Sequence, residues 1–124
     1  MDSVVHFELP ADDVDRAQTF YREAFDWKLT SMPDMGYTMI NTTVMDETGR
    51  PTTPGAINGG MLARQAPVNA PVITISVDDI DDTLARIEKL GGRTALGRQA
   101  VGDMGYSAYF TDTEGNVIGL WQNA

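Results

Sequence analysis

Two side chains suited to acid–base chemistry lie two residues apart near the start of the chain. His6 is the single histidine among 124 residues, and Glu8 follows it in an apolar segment. Residues i and i+2 of a strand share one face, so the two side chains can reach each other. An imidazole oriented by a carboxylate can act as a general base near neutral pH. We favour the simpler interpretation that His6 lines a pocket and hydrogen-bonds to Glu8 or to a ligand, and we keep the acid–base pair as the alternative.

The elements that must position these residues begin with a strand and a helix. Alternating β-branched and aromatic residues predict a strand over 4–9, and Pro10 ends it. Asp12 or Asp13 can then cap a helix that runs to about residue 25. Three further strands are predicted at about 27–32, 36–44 and 56–64.

The same order of elements returns after a short linker at 65–71 that contains two prolines. Asp78 or Asp79 is predicted to cap the second helix, and Gly91-Gly92 to end it. The strands of this half are predicted at 73–77 and at about 93–96, 106–111 and 117–122. Each half is therefore predicted to be a β-α-β-β-β module.

Two short motifs indicate that the halves are copies of one ancestral module. An Asp-Asp-aliphatic-Asp sequence occurs at 12–15 and again 66 residues later at 78–81. Asp-Met-Gly-Tyr occurs at 34–37 and again 69 residues later at 103–106. Recurrence in the same order is the signature of an internal duplication. It places Tyr37 and Tyr106 at equivalent positions, where they could face each other across a shared cavity.

The composition excludes several classes of function. A net charge of −9 without a basic stripe argues against nucleic-acid binding. The absence of cysteine excludes disulfides and thiolate chemistry. No apolar run is long enough to span a membrane and no signal region is visible, so we expect a cytoplasmic protein without membrane association. The acidity fits either a groove for a cationic ligand or a solvated shell adapted to high salt, and the even spread of the acids favours the second.

Four segments together resemble the vicinal oxygen chelate superfamily, which includes glyoxalase I, extradiol dioxygenases, methylmalonyl-CoA epimerase, fosfomycin-resistance enzymes and bleomycin-binding proteins. The segments that carry the resemblance are His6-Phe7-Glu8-Leu9-Pro10, Phe20-Tyr21-Arg22-Glu23-Ala24-Phe25-Asp26-Trp27, Val77-Asp78-Asp79-Ile80-Asp81 and Phe110-Thr111-Asp112-Thr113-Glu114-Gly115-Asn116. The resemblance implies one α+β domain over 1–124. Its two tandem βαβββ modules, at about 1–65 and 71–124, would form an open cup-shaped mixed sheet with helices on the outside, often within a homodimer.

The resemblance also implies where metal ligands would lie, on the first and last strands of each module. His6 matches the first of these positions, whereas the corresponding residue of the second module is Val72. Gln122 stands at the last strand where Glu is usual, and the segment 56–64 contains no Glu. A catalytic metal site needs three or four N or O donors. No cofactor is therefore predicted; a divalent metal is disfavoured and, if present, would be held by His6 and Gln122.

Strand alternation and the repeat predict which residues line the expected pocket. Methionines are included because their soft side chains suit an apolar ligand. For each of these residues, a place in the core or in a dimer contact is the alternative. The predicted ligand-binding residues are Tyr37, Met39, Met61, Tyr106, Leu120 and Gln122.

Three functions remain compatible with the sequence. The preferred one is a small-molecule-binding protein with an incomplete metal site. The alternative is a glyoxalase-like lyase or isomerase, or another metal-dependent enzyme, that uses His6 and Gln122, or one that uses His6 with Glu8 as acid and base. A third is a structural or regulatory dimer whose cup has lost its ligand.

Overall fold

The computed structural model describes all residues from Met1 to Ala124, which form eight strands, two α-helices and a short 3₁₀ helix. Two compact units divide the chain, and we call them module one (His6–Pro71) and module two (Val72–Ala124 together with Met1–Val5). The elements in chain order are β1 (Val4–Ala11), α1 (Val14–Phe25), β2 (Lys28–Met32), the 3₁₀ helix (Pro33–Met35), β3 (Tyr37–Asn41), β4 (Asn58–Ala63), β5 (Val72–Ser76), α2 (Ile80–Lys89), β6 (Arg93–Val101), β7 (Gly105–Thr111) and β8 (Val117–Asn123).

The strands of module one form a four-stranded mixed sheet in the order β2-β3-β4-β1. The β2–β3 and β3–β4 pairs are antiparallel, and β1 runs parallel to β4. Helix α1 begins after Asp13, whose carboxylate accepts a hydrogen bond from the backbone N–H of Arg16. This contact satisfies one of the free amides of the first turn.

One face of this sheet packs against α1 and holds the core of the module. Ile40 and Met61 lie in that core, and the amide of Gln18 on α1 donates a 3.0 Å hydrogen bond to the hydroxyl of Thr38. Successive residues of a strand point to opposite faces. His6 and Glu8 on β1, Tyr37 and Met39 on β3, and Asn58 and Gly60 on β4 therefore lie on the other side, which we call the His6 face.

Module two repeats this arrangement with the strand order β5-β8-β7-β6. Asp79 caps α2 by accepting a hydrogen bond from the backbone N–H of Asp82. The helix covers a core formed by Val77, Ile80, Leu84, Ala108 and Leu120. Gly91, with φ of 101°, follows the end of the helix in the left-handed region, as the Gly-Gly pair predicts.

The predicted α+β fold of two βαβββ modules is confirmed. The largest difference in length is at β6, which continues to Val101 beyond the predicted end near residue 96. Its pairing with β7 contains two register shifts, so the alternation of apolar and polar residues is interrupted where the strand continues. Neither α1 nor α2 is long and apolar enough to cross a membrane.

Candidate functional site

Three polar side chains on the His6 face form a continuous hydrogen-bonded chain. The hydroxyl of Tyr37 donates to Oε2 of Glu8 at 2.9 Å, and Nε2 of His6 lies 2.8 Å from the same hydroxyl oxygen. The rings of His6 and Tyr37 are close to parallel, at 16° with centroids 6.4 Å apart. Tyr37 therefore links the imidazole to the carboxylate of Glu8, a residue that is only 7% exposed.

Tyr37 can reach this position because the strand between β3 and β1 carries a glycine. Gly60 on β4 pairs with Glu8 on one side and with Met39 on the other. A Cβ atom at Gly60 would overlap the hydroxyl and ring of Tyr37. The structure shows that a tyrosine ring occupies the space at Gly60, whereas the backbone oxygen and ring of Phe7 approach Gly59 on the opposite face.

The direction of these hydrogen bonds determines the tautomer of His6. A tyrosine hydroxyl has one proton, and Tyr37 gives it to Glu8, so its oxygen must accept the Nε2–H of His6. Burial lowers the pKa of His6, and the negative charge of Glu8 opposes this effect only in part. The imidazole is therefore neutral at pH 7, and its Nδ1 carries a lone pair that can accept a hydrogen bond or a proton.

Asn58 belongs to this site in addition to the residues predicted from the sequence. It pairs with His6 across the β1–β4 ladder. Its Oδ1 accepts hydrogen bonds from the backbone N–H groups of Thr42 at 2.8 Å and Thr43 at 3.2 Å, whereas its buried Nδ2 has no acceptor. The available signal was one amide side chain inside an otherwise apolar strand pattern.

The structure brings four of the predicted site residues together: His6, Glu8, Tyr37 and Met39. It does not bring Met61 to them. Met61 is 1% exposed and lies in the core that packs against α1, because it follows Gly60 by one position and points to the opposite face. Its expected role as a pocket wall is replaced by a role in the core of module one.

The placement of Tyr106, Leu120 and Gln122 as pocket residues is also corrected. All three lie on the α2 side of the module-two sheet. Leu120 is 1% exposed in the core, and Tyr106 packs against that core with the Arg98 guanidinium 4.8 Å from its ring centroid. Oε1 of Gln122 accepts a 2.8 Å hydrogen bond from the backbone N–H of Ile80, the first residue of α2. Gln122 therefore stabilises the start of a helix.

The registers of the two sheets explain why the repeated tetrapeptide misplaced Tyr106. In module one, Gly60 pairs with Glu8 and Met39; in module two, Gly119 pairs with Thr74 and Tyr109. These pairs make Tyr109 the counterpart of Met39. Tyr37 lies two residues before Met39, so its counterpart lies two residues before Tyr109. That residue is Ser107, one position after Tyr106. A shift of one residue moves a side chain to the other face of a sheet.

The side chains present do not fit the metal site that the resemblance implies. On the His6 face, Nε2 of His6 and the carboxylate of Glu8 are both bonded to Tyr37, and the neighbouring β4 position is Gly60. The amide oxygen of Gln122 is bonded to the backbone of α2. No group of three or more His, Asp or Glu side chains that could hold a metal ion occurs in the structure.

The amino-acid sequence resembles a known protein family and a glyoxylase-like protein. Residues 3–43 match the family model described as bleomycin resistance protein-like N-terminal. The chain is 32% identical over 115 residues to a glyoxylase-like domain-containing protein of Didymella fabae, and the match covers 89% of this chain and 85% of that protein.

The chain is also 27% identical over 124 residues to CFP32 of Mycobacterium tuberculosis, which is described as a candidate glyoxylase. That match covers 93% of this chain but 43% of CFP32, so the chain spans less than half the length of this relative. Among solved structures, a methylmalonyl-CoA epimerase of Streptomyces coelicolor has the same fold, with a TM-score of 0.63, 17% identity, and coverage of 98% of this chain and 96% of that one.

Proposed function

The chain belongs to the vicinal oxygen chelate superfamily as a glyoxalase- and bleomycin-resistance-like member, and we propose that it binds a small organic molecule on the His6 face without a metal ion. The observation that carries the proposal is the His6–Tyr37–Glu8 chain. In this arrangement the imidazole is oriented by a tyrosine hydroxyl, and the carboxylate has a protein donor.

The chemistry of the surrounding side chains supports an uncharged or weakly polar ligand. The ring of Tyr37 and the thioether of Met39 are partly exposed on the same face and offer an adaptable apolar surface. Small-molecule sites usually combine such surfaces with a few oriented polar groups. Here Nδ1 of His6 is a polar group that can bind a ligand, since Nε2 is bonded to Tyr37.

The proposal is tested by screening a library of neutral metabolites for an increase in melting temperature. The protein is first treated with EDTA and its metal content is measured. We expect at least one compound to stabilise the metal-free protein, and to stabilise a His6→Ala variant less. A compound that stabilises the protein only after zinc, nickel, manganese or iron is restored would overturn metal-free binding. A library without any stabilising compound would favour a structural role for the chain.

A second function is favoured by the protonation state of His6. A neutral imidazole with its lone pair on Nδ1, held by Tyr37 and Glu8, is suited to remove a proton from a bound carbon acid and to return it, as a lyase or isomerase requires. Exchange of the α-proton of a bound carbonyl compound for solvent deuterium would test this activity. Exchange that persists unchanged in the His6→Ala variant would exclude His6 as the base.

A further inference from the structure

We propose that Nδ2 of Asn58 is a second ligand-binding atom, which together with Nδ1 of His6 selects a neutral ligand that has a carbonyl oxygen next to an N–H or O–H group. This inference rests on the proposed binding function of the His6 face and specifies the class of molecule bound there.

Two backbone donors determine the orientation of the Asn58 amide. The backbone N–H groups of Thr42 and Thr43 both point at one branch of this amide, at 2.8 and 3.2 Å. Both are donors, so this branch must be the oxygen, because a rotated amide would set donors against donors. The NH₂ group is therefore the branch turned away from Thr42 and Thr43.

Nδ2 is buried and has no hydrogen-bond acceptor. Buried donors in folded proteins nearly always have a partner, and each exception calls for an explanation such as a bound group. The oxygen of the same side chain has two partners, so the amide is held in place while its donor has no partner within the protein.

Strand pairing places Asn58 next to His6. Asn58 and His6 are paired residues on adjacent parallel strands, so both side chains leave the same face of the sheet. Neighbouring strands lie about 4.8 Å apart. The Asn58 amide and the His6 imidazole therefore project from neighbouring strands on the same face of the sheet.

The complementary ligand follows from these two atoms. It needs an oxygen that accepts from Asn58 and an adjacent N–H or O–H that donates to His6, as in a lactam, an amide or an α-hydroxy carbonyl compound. The buried carboxylate of Glu8, two residues along from His6, disfavours an anionic ligand. A neutral donor–acceptor pair is thus the class that the site would recognise.

The test uses two matched probes, 2-pyrrolidone and N-methyl-2-pyrrolidone, which have the same carbonyl but differ in the N–H group. Each is titrated into uniformly ¹⁵N-labelled protein while the side-chain signals of Asn58 and His6 are followed by NMR. We expect 2-pyrrolidone to shift the Asn58 amide and the His6 Nδ1 signals together. The N-methyl compound should bind about tenfold more weakly, since one hydrogen bond is lost.

An Asn58→Asp variant isolates the donor, because an aspartate keeps the oxygen that accepts from Thr42 and Thr43 but lacks the NH₂ group. We expect about tenfold weaker binding of 2-pyrrolidone, with an unchanged pattern of backbone amide signals. Asn69→Asp, at an exposed position, controls for the added negative charge. If the Asn58→Asp chain does not fold, the titration of the wild-type protein decides the question.

The outcomes separate this inference from the proposed function. Shifts at His6 and Tyr37 without a shift of the Asn58 amide, or full affinity in Asn58→Asp, would overturn the role of Asn58 and leave the binding function intact. If neither probe shifts any residue of the His6 face, both the binding function and the role of Asn58 are overturned for this class of ligand.

Discussion

The ring of Tyr37 lies over the backbone of Gly60, where any larger residue would place its Cβ atom. This contact carries the tyrosine hydroxyl from β3 across β4 to the two polar residues of β1. The candidate site of module one therefore depends on a residue without a side chain.

We predict that Gly60→Ala displaces Tyr37 and lowers the free energy of unfolding by about 1–3 kcal/mol, the usual cost of overpacking. Chemical denaturation measures the change. Gly97→Ala is the matched control, because Gly97 also lies in a strand but a Cβ there would meet nothing within 4 Å. If the Tyr37 ring causes the effect, Gly60→Ala must cost less in a Tyr37→Ala background; equal costs in both backgrounds would refute the explanation.

We predict that Tyr37→Phe lowers the free energy of unfolding by about 1–3 kcal/mol, because Glu8 loses a donor and His6 loses an acceptor at a partly buried site. Urea denaturation measures this loss. Tyr21→Phe provides the control, since the Tyr21 ring stacks on Trp27 in the core of module one, and the stack survives removal of the hydroxyl. Equal small effects of both substitutions would show that the hydrogen-bonded chain contributes nothing to stability.

The lowered pKa of His6 predicts a stability that depends on pH. The unfolded chain takes up a proton near pH 6.5, whereas the folded protein resists protonation until a lower pH. The unfolded state therefore binds more protons in this window, and stability falls as the pH drops below about 6.5.

The matched variant for this prediction is His6→Gln, which keeps an N–H donor for Tyr37 but does not titrate. Glu8 and Tyr37 remain in both proteins. As the pH is lowered from 8 to 5.5, the free energy of unfolding should fall more steeply in the wild-type protein than in His6→Gln. Parallel profiles would contradict the lowered pKa.

We predict that Gln122→Ala lowers the free energy of unfolding by about 0.5–2 kcal/mol, as expected when the acceptor at a helix start is lost. Gln122→Glu should retain the acceptor and add a favourable charge at the N-terminus of α2, so its stability should equal or exceed that of the wild type. Gln99→Ala, at an exposed position of β6, is the control. A Gln122→Ala variant as stable as the wild type would contradict the helix-start role.

The high-salt interpretation of the acidic composition stays a prediction. With 18 acidic and 9 basic residues, screening should relieve repulsion within the folded protein. We expect the melting temperature to rise from low to molar KCl. A flat or falling curve would reject adaptation to high salt and would favour a groove for a cationic ligand.

The sequence by itself determined the modules and their helices. The Asp-Asp-aliphatic-Asp motif correctly located both helix starts, at Asp13 and Asp79, because capping depends on a local contact between a carboxylate and an amide three residues later. The proximity of His6 to Glu8 followed from strand alternation, which is also local. These features need no knowledge of the neighbouring strands.

The tertiary structure alone decided which face each strand presents and which side chains meet. Alternation correctly grouped Leu120 with Gln122, but only the packing of α2 showed that this is the helix-covered side. The equivalence of Tyr37 with Tyr106 was wrong because the registers of the two sheets differ from the tetrapeptide repeat by one residue. Tyr37 is linked to Glu8 and His6 across 29 and 31 positions, and Asn58 pairs with His6 across 52 positions. No local pattern encodes these contacts.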